Sequence, residues 1–165
     1  MWVISTSGVG VGFGVGAGEA LSAAAGEAED EAATAGLAEV AAAKLALEKG
    51  QRQEVKDFAQ RMVDDHGKAN TQLEQIAQKQ GVALPNQPDA ADQRQMDRMA
   101  KMGGQNFDAA YIREQQEAHR QAVSLFTEES KNGRNQALKE FAAQTLPVLR
   151  EHNTMISQMA KTAQR

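Results

Sequence analysis

Apolar side chains that recur at spacings of three and four residues constrain this chain more than any other feature. Phe58, Met62, His66, Ala69, Leu73 and Ile76 form one such series. Ile112, Gln115, His119, Ala122 and Phe126 form a second, and Phe141, Thr145, Val148, His152, Met155 and Met159 a third. An α-helix of 3.6 residues per turn places each series on a single face, whereas a strand of period two scatters it across both. Three long amphipathic helices are therefore expected. Each stripe carries a histidine, and the chain has only three.

Glycines mark the ends of these segments. The first long helix is expected over Glu31–Lys49, with Asp30 and Glu31 at its start, where negative charge suits the helix dipole. Gly50 stops it. The second is expected over Arg52–Gln80 and stops at Gly81. Residues 82–106 form a long connection in which Pro85, Pro88 and the Gly103-Gly104 pair bracket a short helix over Asp89–Lys101. The third long helix is expected over Phe107–Lys131, broken by Gly133, and the fourth from an Asn135 cap to about Ala163. Pro147 lies inside the fourth, removes one backbone hydrogen bond and is expected to bend the helix just before His152.

Short, long and short connections in that order specify a topology. A long second link can carry the chain along a helix of about 30 Å for 20 residues. The expected fold is all-α, a ferritin-like four-helix bundle with one long crossover, spanning residues 31–163. An internal echo agrees with it. Phe58-Ala59 and Ile76-Ala77 match Phe141-Ala142 and Met159-Ala160 at one constant offset, and so do Asn70 and Asn153.

Residues 1–30 read differently, as an irregular Gly/Ala-rich arm or an atypical export leader. Glycines at 8, 10, 12, 14, 16 and 18 all sit at even positions. A GxGxxG phosphate loop needs one at odd spacing, so that motif fails. Ala23-Ala24-Ala25 resembles a small-residue cleavage site, but no Lys or Arg precedes Lys44, so the positive region of a standard signal is missing.

Composition removes several chemistries. With no cysteine, disulfides, cysteine-ligated iron–sulfur or zinc sites and thiol catalysis are excluded. A net charge of −4 gives no electrostatic reason to bind nucleic acid. No apolar run reaches the roughly 20 residues of a transmembrane helix. Ser124 and Ser130 flank nothing resembling a catalytic triad. Met96, Met99 and Met102, with Met155 and Met159, offer thioethers of the kind that favour Cu(I), yet at helical spacing they read first as packing.

Gly36-Leu37-Ala38-Glu39-Val40, Val55-Lys56-Asp57-Phe58-Ala59, Met62-Val63, Asp65-His66, Phe107-Asp108 with Tyr111, His119, and Leu146-Pro147 with His152 occur together. In this combination the chain resembles the DUF4142 family over about residues 32–160. The resemblance implies a bacterial, ferritin-like protein of the periplasm or cell envelope, with no established role. The first 30 residues depart from the leader that members of the family carry.

The ferritin-like di-iron site needs Glu-x-x-His on two helices. Val63, Gln116 and Leu149 precede the three histidines by three residues, so that site is absent. A mononuclear site remains open: three neutral imidazoles plus a carboxylate or water suit one divalent transition metal ion. The candidate ligands are His66, His119 and His152, with Glu39 as fourth, a position the family pattern places among small inward residues. Asp65 and Glu151 directly precede histidines, project about 100° away and fit a supporting or surface role better. The competing reading is a buried polar layer in which these four hydrogen-bond to one another or to Asn70, Tyr111 and Thr145, fixing helix register. The function expected first is a non-enzymatic envelope or stress-associated module, and the alternative is a metal-binding or redox bundle. Partners and self-association are left open.

Overall fold

The computed structural model describes residues 17–163, with side chains from Glu29 onward. The described residues form five helices and no strand: α1 (Ala17–Lys49), α2 (Gln53–Gln80), α3 (Ala90–Ala100), α4 (Gly104–Asn132) and α5 (Gln136–Ala163). The all-α expectation holds. Among the described residues no helix is long and apolar enough to cross a membrane.

The start of the first helix needs correction. It begins at Ala17 rather than near Glu31, so residues 17–30 are helical, not an irregular arm. Alanine and glutamate dominate that stretch, and their helix propensity outweighs the single glycines at 18 and 26. The remainder of the expected arm, residues 1–16, lies outside the described residues.

The other boundaries fall close to expectation, each for a local reason. Gly81 closes α2 in the left-handed region (φ 73°), and the following Val82 N–H donates to the Ala77 carbonyl at 2.9 Å. That is a Schellman-type end, for which glycine carries no Cβ penalty. The Asp89 side chain accepts from the Asp92 N–H at 2.8 Å and caps α3. The Asn135 side chain accepts from the N–H groups of Ala137 and Leu138, opening α5 as expected. α5 runs on through Pro147, which faces solvent.

One cap comes from a distant part of the chain. No side chain local to the start of α2 caps it. Instead the buried Asp108 carboxylate of α4 accepts from the backbone N–H groups of Gln51 and Arg52, at 2.9–3.2 Å. This contact ties the α1–α2 turn to the first turns of α4.

α1 packs along α2, and α4 along α5. The two pairs meet mainly through α2 and α5, while α1 and α4 touch over a shorter stretch. α1 and α2 come close at Gly36, where a Cβ would collide with the Asn70 side chain. The apolar interior falls into two clusters. The larger contains Ala43, Val55, Phe58, Met62, Phe107, Tyr111 and Ile156. The smaller contains Ala33, Leu73, Leu138 and Phe141. α2 and α4 both start beside the larger cluster, whereas α5 starts beside the smaller one and ends at the larger. α2 and α4 thus run the same way, and the 82–103 segment carrying α3 is the crossover that makes this possible.

Candidate metal centre

Between the two apolar clusters each of the four long helices contributes buried polar side chains: Glu39 from α1, His66 from α2, Gln115 and His119 from α4 and His152 from α5. On every helix they lie between a residue of one cluster and a residue packed on the other. The 3.6-residue stripe that buries Phe58 and Leu73 buries His66 by the same geometry.

The three histidines converge. Their ring centroids are 5.4–5.6 Å apart. One ligand nitrogen from each ring lies within 4.8 Å of the other two. Phe58 sets its ring edge-to-face against both His119 and His152, at centroid distances of 6.2 and 6.0 Å, and closes the site on the side of the larger cluster.

Hydrogen bonding fixes two of the tautomers. His119 Nδ1 lies 3.0 Å from the Gln115 carbonyl oxygen. A carbonyl can only accept, so Nδ1 carries the proton and donates, which leaves the lone pair on Nε2. His152 Nε2 lies 3.0 Å from Asp65 Oδ2. Because an ionised carboxylate only accepts, Nε2 donates and the lone pair is on Nδ1. These two lone-pair nitrogens, together with His66 Nε2, are buried and have no hydrogen-bond partner among the described residues. An unpaired buried polar atom ordinarily costs about 1–3 kcal/mol, and here three unpaired ring nitrogens occur in one layer.

Electrostatics keep the rings neutral. Burial, with His119 and His152 adding to it, lowers the His66 pKa to about 3. Burial lowers that of His119 to about 4, against the opposing bond to Gln115. It also lowers that of His152, against the pull of Asp65. At neutral pH all three imidazoles therefore present lone pairs and not charge, the form a metal ion requires. Metal–nitrogen bonds of about 2.0–2.1 Å put tetrahedral ligand nitrogens roughly 3.3 Å apart.

Glu39, the expected fourth ligand, stands outside the group of converging ligand atoms. Its carboxyl pairs with the Gln115 side chain, and burial raises its pKa to about 7. It belongs to a neighbouring polar group with Asp92 and Tyr111, around a void of about 20 Å³. Asp92, at the start of α3, is also raised to about 7, by burial and then by Asp89 and Glu39. Glu39 Oε2, Gln115 Oε1 and the Tyr111 hydroxyl are each buried without a hydrogen-bond partner among the described residues.

None of Asn70, Tyr111 and Thr145 is the partner of a histidine. The partners are Asp65 and the Gln115 carbonyl. Asp65 takes the supporting role because its 100° offset from His66 points it across to α5. Glu151 is a surface group, paired with Arg61 at 2.7 Å. Asp92 was not legible as a site residue, since its burial depends on how the crossover folds back. Gln115 could have been noticed, because a glutamine on an otherwise apolar stripe signals a buried polar contact.

The family model for a domain of unknown function, DUF4142, matches residues 14–159. The chain belongs to the DUF4142 family. No curated protein and no solved structure matches it. The matched span includes every residue of the polar layer, so the converging histidines are part of the DUF4142 domain itself.

Proposed function

We propose that this DUF4142 protein binds one divalent transition metal ion through His66, His119 and His152, on a ferritin-like four-helix bundle in the bacterial periplasm or cell envelope. The observation that carries the reading is three histidines from three helices that bring ligand nitrogens within 4.8 Å of one another, each ring also having one buried nitrogen without a hydrogen-bond partner among the described residues. Three neutral imidazoles suit zinc, copper, iron or nickel, and leave a further coordination position to water or a ligand. Asp65 on His152 and the Gln115 carbonyl on His119 are the outer partners that orient metal-binding histidines elsewhere. The bundle and ferritin-like assignment draws support from the parallel run of α2 and α4 with a crossover between them. The location draws support from the family resemblance alone.

The test is elemental analysis of protein purified without a histidine tag, repeated on His119→Ala. One metal per chain, lost in the variant, is expected. Protein that remains metal-free after incubation with zinc, iron and copper would overturn the proposal. That result would leave the second reading, a non-enzymatic structural layer, which the His152–Asp65 and His119–Gln115 bonds favour because each also fixes a ring in place.

A further inference from the structure

A cavity of about 410 Å³ opens beside the histidine layer, where α1 and α4 separate. All five helices contribute to its lining. From His66 to Leu73 on α2, and from Ala118 to Phe126 on α4, it extends about 10–12 Å along the helices at 1.5 Å per residue. That is within the size range of small-molecule sites. Its floor is apolar, built from Leu73, Phe126, Phe141 and Leu149. The two phenylalanine rings lie 5.8 Å apart and tilted, a surface that holds a hydrocarbon chain.

The ionisable residues of the lining other than His66 are all acids: Asp30, Glu31, Asp65 and Asp89, with Glu39 and Asp92, whose pKa values burial raises to about 7, and no Lys or Arg among the described residues lines the cavity. Asp30, Glu31, Asp89 and Asp92 form no ion pair among the described residues. One buried polar atom of a lining residue outside the histidine set, Glu39 Oε2, has no hydrogen-bond partner among the described residues. Anionic amphiphiles are disfavoured, since every charge they would meet repels them. A bare inorganic cation would leave the apolar floor unused, and the carboxylates are spread along the cavity instead of gathered at a point. A neutral hydrocarbon would leave the acidic rim unanswered.

We propose that the cavity binds an amphiphilic organic cation, an ammonium head group bearing an apolar chain about 10 Å long. The chain lies on the Leu73–Phe126–Phe141 floor and the head group meets the rim carboxylates. This site goes beyond the metal centre and does not depend on it.

The experiment uses metal-free full-length protein in a chelating buffer, so its outcome is separate from that of the metal test. Octylammonium, octanol and octanoate are titrated calorimetrically below their aggregation limits, because the three share one chain and differ in head-group charge. Octylammonium is expected to bind at least tenfold more tightly than either of the others, and less tightly as salt is raised. Ala122→Phe, which fills the cavity from a half-buried position, is expected to abolish binding while keeping the helical circular dichroism. Asp30→Asn combined with Glu31→Gln is expected to cut the preference for the ammonium over the alcohol at least threefold. Equal affinity for all three probes, no binding of octylammonium, or binding indifferent to Ala122→Phe would overturn the proposal.

Discussion

His152 and Asp65, on α5 and α2, are joined by a 3.0 Å hydrogen bond from the ring Nε2 to the carboxylate Oδ2. The bond crosses between helix pairs and leaves the lone pair on the other ring nitrogen, Nδ1, which is buried and has no hydrogen-bond partner among the described residues. It therefore acts on register and on ligand chemistry together. Asp65→Ala frees the ring to rotate and removes the carboxylate that enhances its basicity. Loss of such an outer partner typically weakens metal binding 10–100-fold. Competition against a chelator of known affinity should show a loss of that size, and an unchanged affinity would refute the tautomer assigned to His152.

His66 offers a different contrast, because burial without a partner is a cost in the metal-free state. Replacing an unsatisfied polar ring by an apolar side chain of similar size is often neutral or stabilising. His66→Leu should abolish stoichiometric metal binding while leaving the metal-free protein as stable as the wild type or about 1 kcal/mol more so. His152→Ala should instead destabilise it by about 2–4 kcal/mol, since it empties a fully buried volume and removes the hydrogen bond to Asp65. Chemical denaturation with chelator present measures both. If His66→Leu lost as much as His152→Ala, the histidines would be serving the fold and not a ligand.

What could be read from the sequence was set by local periodicity, and what could not was set by the crossover. The stripes through Phe58 to Ile76 and Phe141 to Met159 placed His66 and His152 inward because a helix face repeats by geometry alone. Gly81 and Asn135 ended and began helices through their own backbone and side-chain chemistry. Glu39 lies inward, as the family pattern implies, but its neighbour Asp92 depends on how α3 folds over α1, and its pairing with Gln115 on how α1 meets α4, which no local spacing encodes. The start of α1 at Ala17 is hidden by the alternating glycines that run to Gly18, although alanine and glutamate dominate the residues that follow. Nothing in the local sequence marks Asp108 as a cap, since a cap reaching from α4 to the start of α2 joins residues more than 50 positions apart.

That cap should be energetically visible. Asp108 is 2 % exposed and satisfies two backbone donors that no local residue caps. Hydrogen bonds to a charged group contribute about 1.5–3 kcal/mol each, with losses compounded when buried donors are left unpaired. Asp108→Ala should destabilise the protein by about 2–4 kcal/mol and speed hydrogen exchange at the amides of Gln51 and Arg52 before those of mid-α2. Exchange at those two amides that matches the wild type would show that they have another acceptor.

The polar layer also fixes how stability responds to pH, through two opposing sets of groups. His66 and His119 have folded pKa values of about 3 and 4, below their ordinary 6.5. Between pH 4.5 and 6.5 they are neutral when folded and protonated when unfolded, so unfolding takes up protons and stability rises with pH. Glu39 and Asp92 have folded values of about 7, above their ordinary 4.5 and 3.8. In the same window they are protonated when folded and ionised when unfolded, so unfolding releases protons and stability falls with pH. In metal-free protein the two sets largely cancel, and single variants unmask them. Glu39→Gln removes one releasing group. Its stability should gain about 1.4 kcal/mol per pH unit relative to the wild type across that window. His66→Leu removes one proton-binding group and should shift the slope by a similar amount in the opposite direction. Urea denaturation at pH 5.0, 5.5, 6.0 and 6.5 (about half a unit apart, in chelating buffer) reads both slopes. Parallel curves for wild type and Glu39→Gln would mean that Glu39 is ionised in the folded protein, and its assignment as a buried neutral acid paired with Gln115 would fall.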